Sequence, residues 1–258
     1  MTAAAIPVFA GPSLPPAHRP AGPFDWRPPA AAGDLLALLE TPPERLCLID
    51  GFFDSRPAPW HKELLLLMAR GTLVFGAASM GALRAAELGT FGMIGVGAIF
   101  RAYRDGRLEG DDEVALVHGP ERLGWAPLTV PMVEVRATLV AACRAGVLPP
   151  SLARRIRALV HDLHFDARDW PMMERLCQEE RLADAPAFRR IAALHVPLKR
   201  MDALDCLAAA LSPMPPHSLP QPPPETCFIR ELARRTAAPH PRRRTAAGPI
   251  RRETGDGA

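Results

Sequence analysis

Apolar residues follow two rhythms along this chain. In the first half they form short continuous runs, at residues 6–10, 46–50 and 72–77. Runs of this length, bounded by turn residues, predict strands buried on both faces, as in a parallel sheet. Helical stretches lie between and after them. Residues 35–40 follow Asp34 as a candidate N-cap, 60–70 close at Gly71, and 79–88 end at Gly89. Residues 15–31, rich in Pro and Ala, predict a loop, while 113–118 fit a strand or a helix equally. From about residue 129 the spacing becomes helical, with stretches at 133–146, 151–165 (Ser151 as N-cap), 170–181, 185–195 and 200–211. Ten prolines fall in the 46 residues after Ser212, too many for a packed core. The expectation is an α/β protein. It has a Rossmann-like parallel sheet core over 1–145, a C-terminal helical extension over 146–212 and a Pro/Arg-rich disordered tail over 213–258.

Composition sharpens this picture in three places. Of 30 prolines in 258 residues, eight lie in 1–31 and ten after Ser212, so the middle is ordinary. The net charge of +3 also comes from the end: the tail carries +4 and the rest −1. A near-neutral core gives no footprint for nucleic acid. Only Lys62 and Lys199 among the 31 basic residues are lysine, an arginine bias expected of a high-GC bacterial coding sequence. Five cysteines at wide spacing, without a CxxC pair, predict neither a disulfide framework nor a zinc site and suit a reducing cytoplasm. No apolar run reaches the length of a membrane helix, and the N-terminal segment, with Pro7 and Pro12, does not read as a signal peptide.

Chemistry concentrates at the strand-to-helix junction GAASMG, residues 76–81. A serine on a sharp turn between a buried strand and a helix, flanked by small residues, fits a nucleophile elbow, with Ala77 in place of the first motif glycine. Ser79 fits a plain helix N-cap as well. His61, Lys62 and Glu63 open the preceding helix; consecutive residues point about 100° apart, so at most two can face one ligand. Asp50 ends a strand, where α/β proteins gather ligand-binding groups, and is also an ordinary turn residue. Asp111, Asp112 and Glu113 lack the remote ligands of a metal site and predict capping or ion pairing. The glycines of GTFGMIGVG, 89–97, follow a helix and lack the lysine of a phosphate loop, so they predict close packing between two helices. No cofactor motif is present.

Several blocks together resemble the TfuA-like family: FAGPSL at 9–14, IDGFF at 49–53, HKELL at 61–65, GAASMGALRAAEL at 76–88, FGMIGVGAIFRAYRDG at 91–106, DDEVALVHGP at 111–120 and PMVEVRATL at 131–139. The resemblance covers about residues 6–145. It implies an accessory protein of YcaO-dependent backbone thioamidation in ribosomal peptide biosynthesis, in which sulfur replaces an amide oxygen. The implied partners are a YcaO-type protein and a small ubiquitin-like sulfur carrier, whose C-terminal thiocarboxylate is hydrolysed to release sulfide. In that role Ser79 is the expected nucleophile with His61 as base; alternatively His61 or Asp50 activates water. Lys62 or Arg84 neutralises the anion, with Glu63 and Ser13 as further substrate contacts. The alternative is a non-catalytic adaptor that activates the YcaO partner. A nucleotide-binding module is the third reading, and it lacks every specific phosphate motif.

Overall fold

The computed structural model describes residues 4–53, 56–213 and 219–237. Five strands form one parallel sheet in the order β2-β1-β3-β4-β5: β1 (Ile6–Phe9), β2 (Phe24–Arg27), β3 (Arg45–Leu48), β4 (Leu73–Gly76) and β5 (Ile94–Gly95). One register row crosses the whole sheet through Trp26, Val8, Cys47, Phe75 and Ile94. Its side chains all point to one face, because side chains alternate along a strand. That face packs against Ala203, Cys206, Leu207 and Ala210 of helix α8 (Leu198–Leu211). The other face presents Phe9, Leu46, Leu48 and Val74 to helices α1 (His61–Ala69) and α2 (Met80–Leu88). The continuous apolar runs thus serve two covered faces, as expected for α/β architecture.

The remaining helices are α3 (Gly97–Arg104), α4 (Met132–Arg144), α5 (Pro150–His161), α6 (Trp170–Glu179), α7 (Ala185–Ala192) and α9 (Cys227–Ala237). Helices α4 to α7 gather round a second apolar cluster that includes Val135, Leu139, Ile156, Phe188 and Ile191. The helical half therefore divides: α4–α7 share their own core, while α8 returns to complete the sheet. Among the described residues no helix is long and apolar enough to cross a membrane.

Several elements differ from expectation. β2 lies inside the segment read as a loop: at the sheet edge, Phe24 and Trp26 pack inward while Asp25 and Arg27 pair with each other, so no apolar run marks it. β5 lies inside the glycine segment read as helix packing; two residues suffice to pair with Phe75 and Gly76. The 113–118 segment is neither strand nor helix, but a 3-10 turn (Asp111–Glu113) followed by chain tied at Val117 N–H to Thr129 Oγ1 (2.8 Å). Asp34 accepts from the Ala31 N–H and the following 3-10 turn, Leu36–Glu40, starts one residue later. Pro149, not Ser151, occupies the N-cap of α5. Within the segment read as a tail, α9 is helical and seats Ile229 beside the Leu36–Glu40 turn. The tail arginines from Arg242 to Arg252 lie outside the described residues.

Candidate functional site

The β4–α2 junction is built by close approach. A Cβ on Gly81 would stand 1.7 Å from the Leu48 carbonyl oxygen, so only glycine lets the start of α2 press onto β3. The chain enters the helix through a tight three-residue turn. Ser79 N–H donates to the Ala77 carbonyl (2.7 Å), and Ala78 between them has φ +64°. That hand of turn is strained for a residue with a Cβ, by about 1–2 kcal/mol. The hydroxyl of Ser79 makes no capping hydrogen bond although the residue occupies the N-cap position. Gly81 N–H is bonded to the Ile49 carbonyl (3.2 Å), so the open donor beside Ser79 is the N–H of Met80, in the helix's unsatisfied first turn.

Ser79 opens into a cleft of about 220 Å³ at the carboxyl ends of the strands, shared with Asp50, Phe52, Val114, His118 and Lys199. In the order 2-1-3 the chain reverses direction across the sheet at β1 and β3, and the crevice beyond such a switch point is where doubly wound sheets bind ligands. Asp50, at the end of β3, is buried and accepts three hydrogen bonds: from Gly11 N–H (2.8 Å) and Ser13 N–H (3.0 Å) at Oδ2, and from Ser13 Oγ (2.6 Å) at Oδ1. It locks the loop after β1 and supplies a fixed negative charge. Lys199, in the first turn of α8, is 2% exposed and donates from Nζ to the Val114 carbonyl (2.8 Å). Burial pushes its pKa down, while the charges of Asp50 and then Glu134 act in the opposite direction. His118 bonds through Nδ1 to the Gly119 carbonyl (2.9 Å), which accepts only, so in the neutral ring Nε2 is the unprotonated nitrogen. Its ring lies 5.3 Å from that of Trp125 and 6.4 Å from that of Phe52.

Residues 50–169 match the family model of TfuA-like proteins. Over those residues the chain is similar to TfuA-like proteins. No curated protein matches it. The similarity supports an accessory role in YcaO-associated thioamidation, and the match spans Asp50, Ser79 and His118 but ends before Lys199.

In this chain the residues nominated from sequence fall into separate groups. Ser79 and Asp50 share the cleft, and Ser13 joins them through Asp50. His61 and Arg84 meet elsewhere, both on Glu87 Oε2 at 2.7 Å, and Arg84 Nε also donates to the Pro59 carbonyl (3.1 Å). Lys62 donates from Nζ to the Pro224 carbonyl (3.0 Å), ahead of α9. Glu63 is buried and structural: Oε1 accepts from the Trp60 N–H (2.9 Å) and Oε2 from the Gly33 N–H (2.9 Å). Burial raises its pKa to about 7 against the pull of those donors. Asp112 and Glu113 pair with Arg168 and Arg136, as the ion-pairing expectation held. Lys199 and His118 escaped the sequence reading. Lys199 sits about 120 residues from the serine in a helix without a motif; its one signal was rarity, as one of two lysines.

Proposed function

We propose that this protein releases sulfide from the C-terminal thiocarboxylate of a small sulfur-carrier protein, for use by a YcaO partner. The observation that carries the reading is the shared cleft: a serine hydroxyl released from helix capping, on a strained strand-to-helix turn, and a buried lysine whose amine is held toward its neutral form. A neutral amine is a proton acceptor, and serine–lysine pairs are one form of activated nucleophile. This moves the base from His61, which bonds to Glu87, to Lys199.

In the proposed chemistry Ser79 Oγ attacks the thiocarboxylate carbon and its proton passes to Lys199 Nζ. The developing oxyanion lies toward the Met80 N–H. The C–S bond breaks, the Lys199 ammonium returns its proton to the leaving sulfur, and the carrier remains as a serine ester. Water, deprotonated by Lys199, then cleaves that ester. The net change is thiocarboxylate plus water giving carboxylate plus hydrogen sulfide. Asp50 holds the loop after β1 and keeps a negative charge near the amine, so that the ammonium formed at each transfer is tolerated in a buried site.

The test is to incubate the protein with thiocarboxylated carrier and follow sulfide together with carrier mass. Ser79→Ala and Lys199→Met are each expected to lower release by roughly 10²–10⁴-fold. Undiminished release in both variants rejects the reading. If the unaltered protein releases no sulfide yet stimulates thioamidation supplied with free sulfide, the adaptor role replaces it.

A further inference from the structure

Lys199 is held from two sides, and the second hold lies outside the cleft. Its α8 helix begins after Pro197, which offers no side-chain cap. The cap comes from another element: Glu134 on α4 accepts the Lys199 backbone N–H at Oε1 (3.1 Å). Its other oxygen, Oε2, is bonded to His195 Nε2 (2.9 Å), just before α8. One turn further along α4, Thr138 Oγ1 accepts the Val196 N–H (3.1 Å), so two side chains on one face of α4 grip the chain entering α8. The His195 ring is braced edge-on against Trp170, 5.6 Å away at 74°. Every atom of the Glu134 carboxylate is thus committed, and the residue is 8% exposed.

We propose that Glu134, clamped by His195, is a positioning residue that seats Lys199 in the cleft it lines with Ser79. The inference rests on the reading of Lys199 as the base. The carboxylate acts twice. It replaces the missing cap of α8, so the first turn carrying Lys199 cannot fray. It also places a negative charge beside a buried amine. The titratable groups around that amine are Asp50 from the end of β3, His118 in the same cleft, and Glu134 from α4 with its partner His195. Glu113, next to the Val114 carbonyl, is neutralised by Arg136, and Asp202, one turn along α8, is engaged with the Ala98 and Ile99 N–H groups of α3.

Glu134→Gln keeps the shape and an acceptor for the Lys199 N–H but removes the charge. A base must be deprotonated to act, so the rate rises with pH through its pKa; without the carboxylate that rise moves to lower pH, by about one unit. A merely structural glutamate would change stability and leave the profile in place. A second readout needs no activity. The chain has two lysines, so Lys62→Arg leaves Lys199 as the only lysine signal after ¹³Cε labelling, and its NMR titration midpoint reads the amine directly. The expected result is a midpoint lowered by about one pH unit in Glu134→Gln. A midpoint and pH profile that both stay in place overturn the proposal, even if Lys199→Met abolishes release. A lowered midpoint with full release in Lys199→Met overturns the catalytic reading of Lys199 instead, and with it any catalytic part for Glu134.

Discussion

Asp50 and Glu63 are both buried carboxylates, and they differ in their partners. Asp50 accepts three hydrogen bonds from one short loop and faces a buried lysine. Glu63 accepts from backbone donors and forms no ion pair among the described residues, so burial dominates and its pKa rises to about 7. A carboxylic acid with a raised folded pKa favours the protonated folded state. Its contribution is present at acid pH and is lost as pH climbs from the ordinary 4.5 towards about 7. The size of that loss is at most roughly 3 kcal/mol. Urea denaturation across that window is expected to show the native chain losing stability with pH, and Glu63→Gln to show a flatter curve. Asp202, also raised by burial, supplies a shared background to both curves. At the same scale, His61→Ala is expected to leave sulfide release within about twofold, because the ring lies on Glu87 at the surface. A loss comparable to that of Ser79→Ala would return the base to His61.

Among the elements, the β4–α2 junction is where local sequence and function coincide. Gly81 exists for backbone approach: a methyl group there would overlap the Leu48 carbonyl. Gly81→Ala must push α2 away from β3, moving Ser79 with it. The expected outcome is destabilisation of several kcal/mol or failure to fold, read by thermal unfolding. Helix α8 makes the contrasting case. Its apolar face, Ala203, Cys206, Leu207 and Ala210, covers the sheet, yet its register is set from outside, by Glu134 at its start and by Asp202 bonding α3. Its amphipathic pattern predicts a helix but says nothing of which neighbour it joins.

For the whole molecule, α9 is an accessory layer. It seats Ile229 beside the Leu36–Glu40 turn and brings Pro224 to Lys62, and takes no part in the sheet or the cleft. Deleting residues 213–258 is expected to lower stability by about 2 kcal/mol, the burial of one large aliphatic side chain, and to leave sulfide release intact. Differential scanning calorimetry and the release assay check the two halves. The same deletion removes the +4 segment, so any loss of affinity for an acidic partner would be read separately, by calorimetric titration.

Three strands, the order of the helices and Ser79 at its turn were legible in the residues. Each leaves a local mark in the sequence: a continuous apolar run, a helical period, a serine among small residues at a strand-to-helix junction. β2 and β5 were not, because the two edge strands, one of four residues and one of two, carry too few apolar positions to stand out. The family resemblance was legible for a similar reason, since its blocks are local. What the tertiary structure alone decided is who meets whom. Asp50 and Ser79 come together because β3 and β4 are neighbours in a parallel sheet, and Lys199 joins them because α8 folds back over that sheet from the far end of the chain. His61, close to Ser79 in sequence, is carried to another surface by its own helix. Proximity along the chain ranks candidates for a site, but it is the burial of apolar faces that brings distant side chains to one cleft.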